Sequence, residues 1–249
     1  MSIQFNDTTN KSGILQRIEQ ELGFVDGFIT GNTTRLARFT ASVNLALDKV
    51  LAIIFMADGK WQFDDGNHTT YPILTGDLTD GQRDYSFVQD SDSNLILTID
   101  RVFVRMAATE PYYEIFPVDV QSDREGLISG FADGLNTEGR PRYYDKTATG
   151  IFIDPIPNAT VVDGLKIYVS REGSYFTVSD TTKKPGIAGL YHEYLVLEPS
   201  YRYARANNME LRKTLKRDVL EMESKIEEFY SKRSRDERTI MTPEFIIYE

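Results

Sequence analysis

The segment 90–94, DSDSN, places oxygen-bearing side chains at the spacing that opens a calcium-binding loop. Such a loop needs glycine at its sixth position for the sharp turn and a bidentate glutamate at its twelfth. Leu95 and Arg101 occupy those two positions. We therefore interpret the segment as a solvated turn between two strands, and not as a metal site.

His68 and His192 are the two histidines of the chain. His68 follows the acidic segment 64–66, DDG, and a metal or acid–base cluster is one interpretation of this stretch. The nearby rings of Trp61 and Phe63 favour the other interpretation, a loop packed by aromatic side chains. His192 lies among tyrosines on a predicted helix, and an imidazole without a second ligand nearby is typical of a hydrogen-bonded packing residue.

Several classes of catalytic and metal site are excluded by composition and motif. The sequence has no cysteine, which excludes disulfides, cysteine-bound zinc, iron–sulfur centres and thiol nucleophiles. It has no G-x-S-x-G, P-loop or H-E-x-x-H motif. A pair of carboxylates for glycoside hydrolysis remains open, because 38 Asp and Glu residues are present, but nothing marks a particular pair. We predict that the protein is not an enzyme and holds no cofactor or metal.

Chain length and net charge exclude further classes of protein. A chain of 249 residues, 41% of them apolar, suffices for one large domain or two small ones with a substantial core. Its net charge of −10 argues against a protein that grips nucleic acid, but suits one that lets a polyanion pass. No run approaches 18 apolar residues, and the N-terminal segment lacks the pattern of a secretory signal. We therefore expect no membrane-spanning helix, no secretory signal and no membrane partner.

The first 60 residues carry a helical period. A helix is predicted over 14–22, with Ser12 as its N-cap and Gly23 at its end. A longer helix follows the turn 30–32 and ends at 57–59. Its apolar residues recur three or four apart: Leu36, Phe39, Val43, Leu47, Val50, Leu51 and Ile54.

From Trp61 to about Tyr175 the period becomes alternating, which predicts β-strands. The alternation through 95–104 slips by one residue before Val102, as a β-bulge would require. Other strand candidates are 112–116, 150–153 and 165–169, and the Gly-rich stretch 121–140 is predicted to be a long excursion. We expect an antiparallel β region, either a small sandwich or a curled sheet.

The helical period returns after 184–186. Pro199 removes a backbone donor and should kink or divide the first of two helices. The second, over 209–233, would be about 37 Å long. Its apolar seam is close to a heptad and comprises Leu211, Leu215, Val219, Met222, Ile226 and Phe229.

Lys and Arg residues are concentrated in 200–238, which holds 11 of them against 8 Asp and Glu. Acidic residues interleave with them, and Glu221–Lys225 is a good i,i+4 pair. Solvation or subunit contact is the favoured interpretation of these charges, and phosphate contact is the alternative. After them comes 239–249, a predicted extended tail in which Pro243 blocks helix formation.

A succession of short motifs resembles the tailed-bacteriophage head–tail adaptor (connector) family. The most characteristic part is a strand-turn signature in 71–87, which contains YPI, GDL and GQRDYSF. Further similar segments follow in the same order, and together they cover about residues 14–243. They are WQFDD at 61–65, GRPRYY at 139–144, IFIDPIP at 151–157, LKIYV at 165–169, PGIAGLYH at 185–192, YA at 203–204 and FYSKR at 229–233.

The resemblance implies an α+β fold in which a helical bundle carries an inserted antiparallel β-domain. In that arrangement 1–60 is the N-terminal helical part and 61–184 the inserted β-domain. A C-terminal helical hairpin, 185–238, completes the bundle, and 239–249 is an extended C-terminal arm.

The resemblance also implies a role in the virion neck, between the portal vertex and the tail. About twelve copies would form a ring that docks on the portal protein, extends the DNA channel and carries the tail or a stopper or nozzle protein. Double-stranded DNA would pass through the lumen without sequence-specific binding. The arm would reach the portal or a neighbouring subunit through Pro243, Phe245, Ile246, Ile247 and Tyr248.

Properties of the sequence itself agree with that role. The charged flanks of the helix 209–233 suit lateral packing in a ring, and the predicted contacts there are Arg212, Lys216, Glu223 and Glu227. An apolar, β-prone arm suits strand addition to a partner. The alternatives are a phage-associated hydrolase and an unrelated interaction module.

Overall fold

The computed structural model describes residues 3–58, 73–89, 93, 95–118 and 137–233. The chain divides into two compact units. One comprises Met1–Phe63 and Tyr175–Glu249, and its described part is helical; the other comprises Asp64–Ser174, and its described part is built of strands. The fold is therefore α+β, as predicted.

The helical unit contains four α-helices and a short 3-10 turn, Gly189–Tyr191, in its described part. The helices are α1 (Ile14–Glu21), α2 (Thr33–Asp58), α3 (Tyr194–Ala206) and α4 (Arg212–Arg233). Ser12 is not the N-cap of α1, because Gly13 occupies that position. The Ser12 hydroxyl instead donates a hydrogen bond of 2.7 Å to Asp7 Oδ2, which organises the turn before the helix.

The core of the helical unit is built around α2. Its predicted apolar face is buried apart from the half-buried Leu36, and it packs with α1, α3 and α4 in one hydrophobic cluster. The N-terminal segment joins the same cluster through Phe5, whose ring stacks on Phe176 at a centroid distance of 4.5 Å. Burying a side chain of this size stabilises the fold by about 1.5–3 kcal/mol.

Pro199, which was expected to kink or divide the helix, does not divide α3. All seven residues from Tyr194 to Ser200 are buried, so packing on every side holds the helix where one backbone donor is missing. The hydroxyl of Ser200 also donates to the carbonyl of Val196 at 2.7 Å. The next helix begins at Arg212, after a turn in which Asn208 adopts a φ of 54°.

By length and composition, α2 contains a segment apolar enough to cross a membrane, although no uninterrupted apolar run in it reaches 18 residues. An 18-residue stretch within Thr33–Ala57 has a mean hydropathy of 1.6, and 44% of that stretch is buried inside the protein. The buried face of α2 in the core accounts for much of this apolar character.

The β unit is a curled, mixed sheet and not the predicted antiparallel one. In the described part of this unit, seven strands lie in the order β1-β9-β3-β4-β6-β7-β2, and β5 pairs with β8 in a second, two-stranded sheet. The bounds are β1 Ile73–Leu78, β2 Asp84–Ser86, β3 Ile96–Val104, β4 Tyr113–Pro117, β5 Glu138–Gly139, β6 Tyr143–Lys146, β7 Gly150–Asp154, β8 Ile156–Pro157 and β9 Val161–Arg171.

Two strand pairs are parallel, β4 with β6 and β5 with β8. Parallel pairing of β4 with β6 requires a long connection between them, and most of the predicted excursion 121–140 lies outside the described residues. The predicted slip in β3 is confirmed, since its register with β9 shifts between Ile99 and Arg101. Val102, Val104, Ile115, Leu165 and Ile167 are fully or almost fully buried and belong to the core of this unit.

Candidate subunit-contact surface

The four residues predicted to pack between subunits lie on one stripe of α4. At 100° per residue, Arg212, Lys216, Glu223 and Glu227 fall within about 60° around the helix axis. The two cations occupy the N-terminal half of the helix and the two carboxylates the C-terminal half. Three of the side chains are exposed, and Glu223 is half-buried. We call these four residues the α4 stripe.

No residue of the α4 stripe forms an ion pair within the part of the chain that the structure describes. Arg212 donates from Nη1 to Asn208 Oδ1 at 2.6 Å, and Glu223 accepts from the Tyr194 hydroxyl at 2.6 Å. Lys216 and Glu227 have neither a hydrogen bond nor an ion pair to any described residue. Two full charges of opposite sign are thus left for solvent or for another molecule.

The outer face of α4 behaves differently, because its charges pair along the helix. Lys225 donates to Glu221 at 2.7 Å, which confirms the predicted pair, and Lys232 pairs with Glu228 in the same i,i+4 spacing. The hydrogen bond from Lys225 lowers the pKa of the Glu221 carboxyl. This face is saturated within the helix, as solvated helical faces usually are.

Tyr194 fixes the position of Glu223 in the stripe. Its side chain is fully buried, and its hydroxyl reaches from α3 to the Glu223 carboxylate on α4. Burial first, and then the hydrogen bond to Glu223, raise the pKa of this phenol far above its usual value, so it remains a donor. Sequence reasoning did not foresee this contact, which depends on how α3 and α4 pack.

The predicted apolar seam of α4 is buried at its centre but not at its ends. Leu215, Val219 and Ile226 are buried, whereas Leu211 is 42% exposed. Tyr230 is the buried aromatic at the far end, and the predicted Phe229 is only half-buried. Tyr230 was missed although it follows Ile226 by four residues, the spacing that could have identified it.

Leu220 is an apolar residue that the sequence analysis did not assign to the contact surface. It is 54% exposed and lies about 20° beyond Glu227 around the helix axis. It therefore stands between the cationic and the acidic halves of the stripe. An apolar centre with charges at both ends is a common composition for a contact patch.

His192 is a buried packing residue, as the sequence predicted. Its Nδ1 accepts a hydrogen bond from the backbone N–H of Ile3 at 3.0 Å, and Nε2 lies 3.0 Å from the carbonyl of Ile187. Burial lowers the pKa of the imidazole, which favours the neutral ring that can accept at one nitrogen and donate from the other. The side chain thus joins the N-terminal segment to the residues that precede α3.

Several sequence-based sites lie outside the described residues. These are His68 with 64–66, most of the calcium-like segment 90–94, and the predicted arm contacts Pro243, Phe245, Ile246, Ile247 and Tyr248. Over the described ranges, no group of three or more His, Asp or Glu side chains is arranged to hold a metal ion.

Any functional proposal for this chain rests on its residues and their geometry, because comparison with known proteins found that no family model and no curated protein matches the chain.

Proposed function

We propose that the protein is a structural component of a bacteriophage virion, a head-to-tail adaptor that forms a ring, docks on the portal and carries the tail. The collinear motifs from 14 to 243 support this proposal as a resemblance. The observation that carries it is the α4 stripe, in which none of the four charges is paired with an opposite charge among the described residues. In this proposal the helices form a bundle with a C-terminal hairpin, and the β unit is inserted into it.

A ring places the same two edges of every subunit against each other, so each subunit needs two different complementary surfaces. Arg212 and Lys216 would meet an acidic edge of the neighbour. Residues 1–199 offer many acidic positions, because they contain 28 Asp and Glu against 17 Lys and Arg. Glu223 and Glu227 would keep wrong registers apart through like-charge repulsion.

The overall charge of −10 fits a channel through which DNA slides, because a like-charged wall does not retain a polyanion. Portal protein on one side and a tail, stopper or nozzle protein on the other would be the partners, with DNA in transient passage. The alternative is an enzyme, a phage-associated hydrolase. Loss of hydrolytic activity when one carboxylate is replaced would identify it.

Electron microscopy of the protein with its portal tests the ring directly. We expect the isolated chain to be monomeric or weakly associated, and to form a closed ring when portal is present. The double variant Arg212→Glu/Lys216→Glu should lose ring formation. Lys225→Glu/Lys232→Glu is a matched control, since it changes the same total charge on the outer face of α4 and should form rings normally.

Native mass spectrometry measures the oligomeric state and can contradict the adaptor proposal. A stable closed dimer that forms irrespective of portal would overturn the adaptor proposal. If the Arg212→Glu/Lys216→Glu variant forms rings normally, the α4 stripe is not part of the subunit interface.

A further inference from the structure

A cleft of about 390 Å³ opens in the helical unit between the N-terminal half of α2 and the C-terminal end of α3. Its apolar surface comes from Phe28, Phe39, Pro199 and Tyr203. The volume lies at the lower end of the range of ligand sites, enough for one or two large side chains. The α4 stripe contributes no residue to its lining.

The aromatic wall of the cleft is held by ring contacts. Tyr203 stacks with Phe39 at a centroid distance of 5.5 Å and meets the edge of Phe24 at 5.3 Å. Phe24 in turn stacks on Phe28 at 4.1 Å. The cleft is therefore bounded by rings that support one another, and a bound ring can add to this cluster by offset or edge contacts.

Two arginines give the cleft its charge. The Arg35 guanidinium lies 3.9 Å from the centroid of Phe28 and donates to the carbonyl of the same residue at 3.2 Å. Arg38, one helical turn further along α2, is exposed and has no hydrogen bond or ion pair to any residue that the structure describes. None of the described residues that line the cleft carries a carboxylate. The site therefore favours a ligand that combines an apolar ring with negative charge.

We propose that this cleft receives the arm segment 242–249, TPEFIIYE, of a neighbouring copy of the chain. The segment carries two carboxylates, Glu244 and Glu249, two aromatic rings, Phe245 and Tyr248, and no cation. Its composition thus matches the cleft in both charge and ring content. The proposal rests on the proposed ring, and it assigns the arm tip to the adjacent subunit and not to the portal.

The arrangement of α3 and α4 favours donation between copies. Tyr194 binds Glu223, and the Ala188 backbone N–H donates to the Tyr230 hydroxyl at 3.1 Å. The C-terminal end of α4 therefore lies beside the N-terminal end of α3, whereas the cleft is at the opposite end of α3. The 22 residues of α4 span about 33 Å. The 12 residues from 234 to 245 can span at most about 40–43 Å, so an arm inserted into the cleft of its own chain would have to run extended over most of its length.

Fluorescence anisotropy with a labelled peptide of sequence 239–249 and the full chain tests the proposal. We expect saturable binding that weakens as salt is raised, and a loss of at least tenfold in affinity for Arg38→Glu. Arg217→Glu is the matched control because it places the same charge change on the outer face of α4, and its affinity should stay within twofold of the unchanged chain. A peptide carrying Glu244→Lys and Glu249→Lys should bind at least tenfold more weakly, and this second measurement leaves the folded protein unaltered.

Equal affinity for the unchanged chain and for Arg38→Glu would overturn the proposal, as would no binding at 1 mM peptide. The peptide assay uses neither portal nor ring, so its outcome is independent of the adaptor proposal. Rings that form normally without peptide binding would refute the cleft assignment alone. Peptide binding by a chain that never forms rings would refute the adaptor function and retain the cleft.

Discussion

Glu19 shows how one buried carboxylate organises a connection between helices. Its side chain is 1% exposed and accepts hydrogen bonds from the backbone N–H groups of Gly27 at 3.1 Å and Ile29 at 2.6 Å. We predict that Glu19→Ala lowers the free energy of unfolding by about 1–3 kcal/mol, because buried donors lose their acceptor. Urea denaturation measures this, with Glu21→Ala, an exposed carboxylate of the same helix, as the control. Equal midpoints for the two variants would show that Glu19 does not hold the loop.

His192 should make the stability of the fold depend on pH. Burial lowers the pKa of its imidazole in the folded chain below the ordinary value of 6.5, so the unfolded chain binds the proton more readily. The contribution of the neutral ring is fully present above pH 6.5 and is lost as pH falls through the lowered value. We predict that His192→Gln flattens the dependence of the unfolding free energy on pH between 6.5 and 5, measured by urea denaturation.

A variant of Asp7 is the control for the pH dependence of the His192→Gln variant. Hydrogen bonds from the backbone N–H of Asn10 and the hydroxyl of Ser12 hold the pKa of the Asp7 carboxyl below its usual range. Asp7→Asn should therefore leave the slope above pH 5 unchanged. If His192→Gln retains the full slope of the unchanged chain, another group is responsible for the acid sensitivity.

At the scale of one element, the neighbours Val219 and Leu220 on α4 should separate folding from assembly. Val219 is 4% exposed in the core, and Leu220 is 54% exposed beside the α4 stripe. We predict that Val219→Ala lowers the unfolding free energy by more than about 1 kcal/mol. Leu220→Lys should leave it within about 0.5 kcal/mol and reduce ring formation with portal. Denaturation and electron microscopy of both variants give the comparison, and a Leu220→Lys ring of normal yield would exclude this residue from the interface.

The period of apolar residues predicted the helices and strands better than it predicted which of them pair or pack together. The seam of α4 and the slip in β3 could be read from the sequence, since both follow from the direction in which successive side chains point. The parallel pairing of β4 with β6 could not, because alternation is the same in both kinds of sheet. The division of the helix at Pro199 did not occur for a related reason, since the buried residues on all sides of α3 hold the helix across the missing donor. In the candidate site, the charges of the α4 stripe were predictable, but the hydrogen bond that anchors Glu223 required the packed helices.

At the scale of the whole molecule, the arm should matter for assembly and not for folding. The described cores of the two units contain no residue beyond Tyr230. We predict that deleting 239–249 changes the melting temperature of the free protein by no more than about two degrees, while ring formation on the portal falls sharply and capsids leak DNA or stay tailless. A chain with the arm sequence scrambled is the control for length and composition. Normal docking of the deleted chain would assign the interface to the helices alone.

The helical unit is assembled from two separated stretches of chain, and this has a consequence for the order of folding. The long helix α2 packs against α3 and α4, yet all of Asp64–Ser174 is synthesised between them. At ribosomal speeds of about 5–20 residues per second, that interval lasts about 6–22 s. During it, Val43, Leu47 and Ile54 have no partner from the C-terminal helices. Only strands that are neighbours along the chain, such as β3 with β4 and β6 with β7, can pair as soon as they emerge, whereas β1 and β3 must wait for β9. The helical unit can close only after Tyr175, through contacts of high sequence separation that form slowly. The nascent chain therefore exposes the apolar face of α2 for seconds, which makes this helix the point at which a chaperone would engage it.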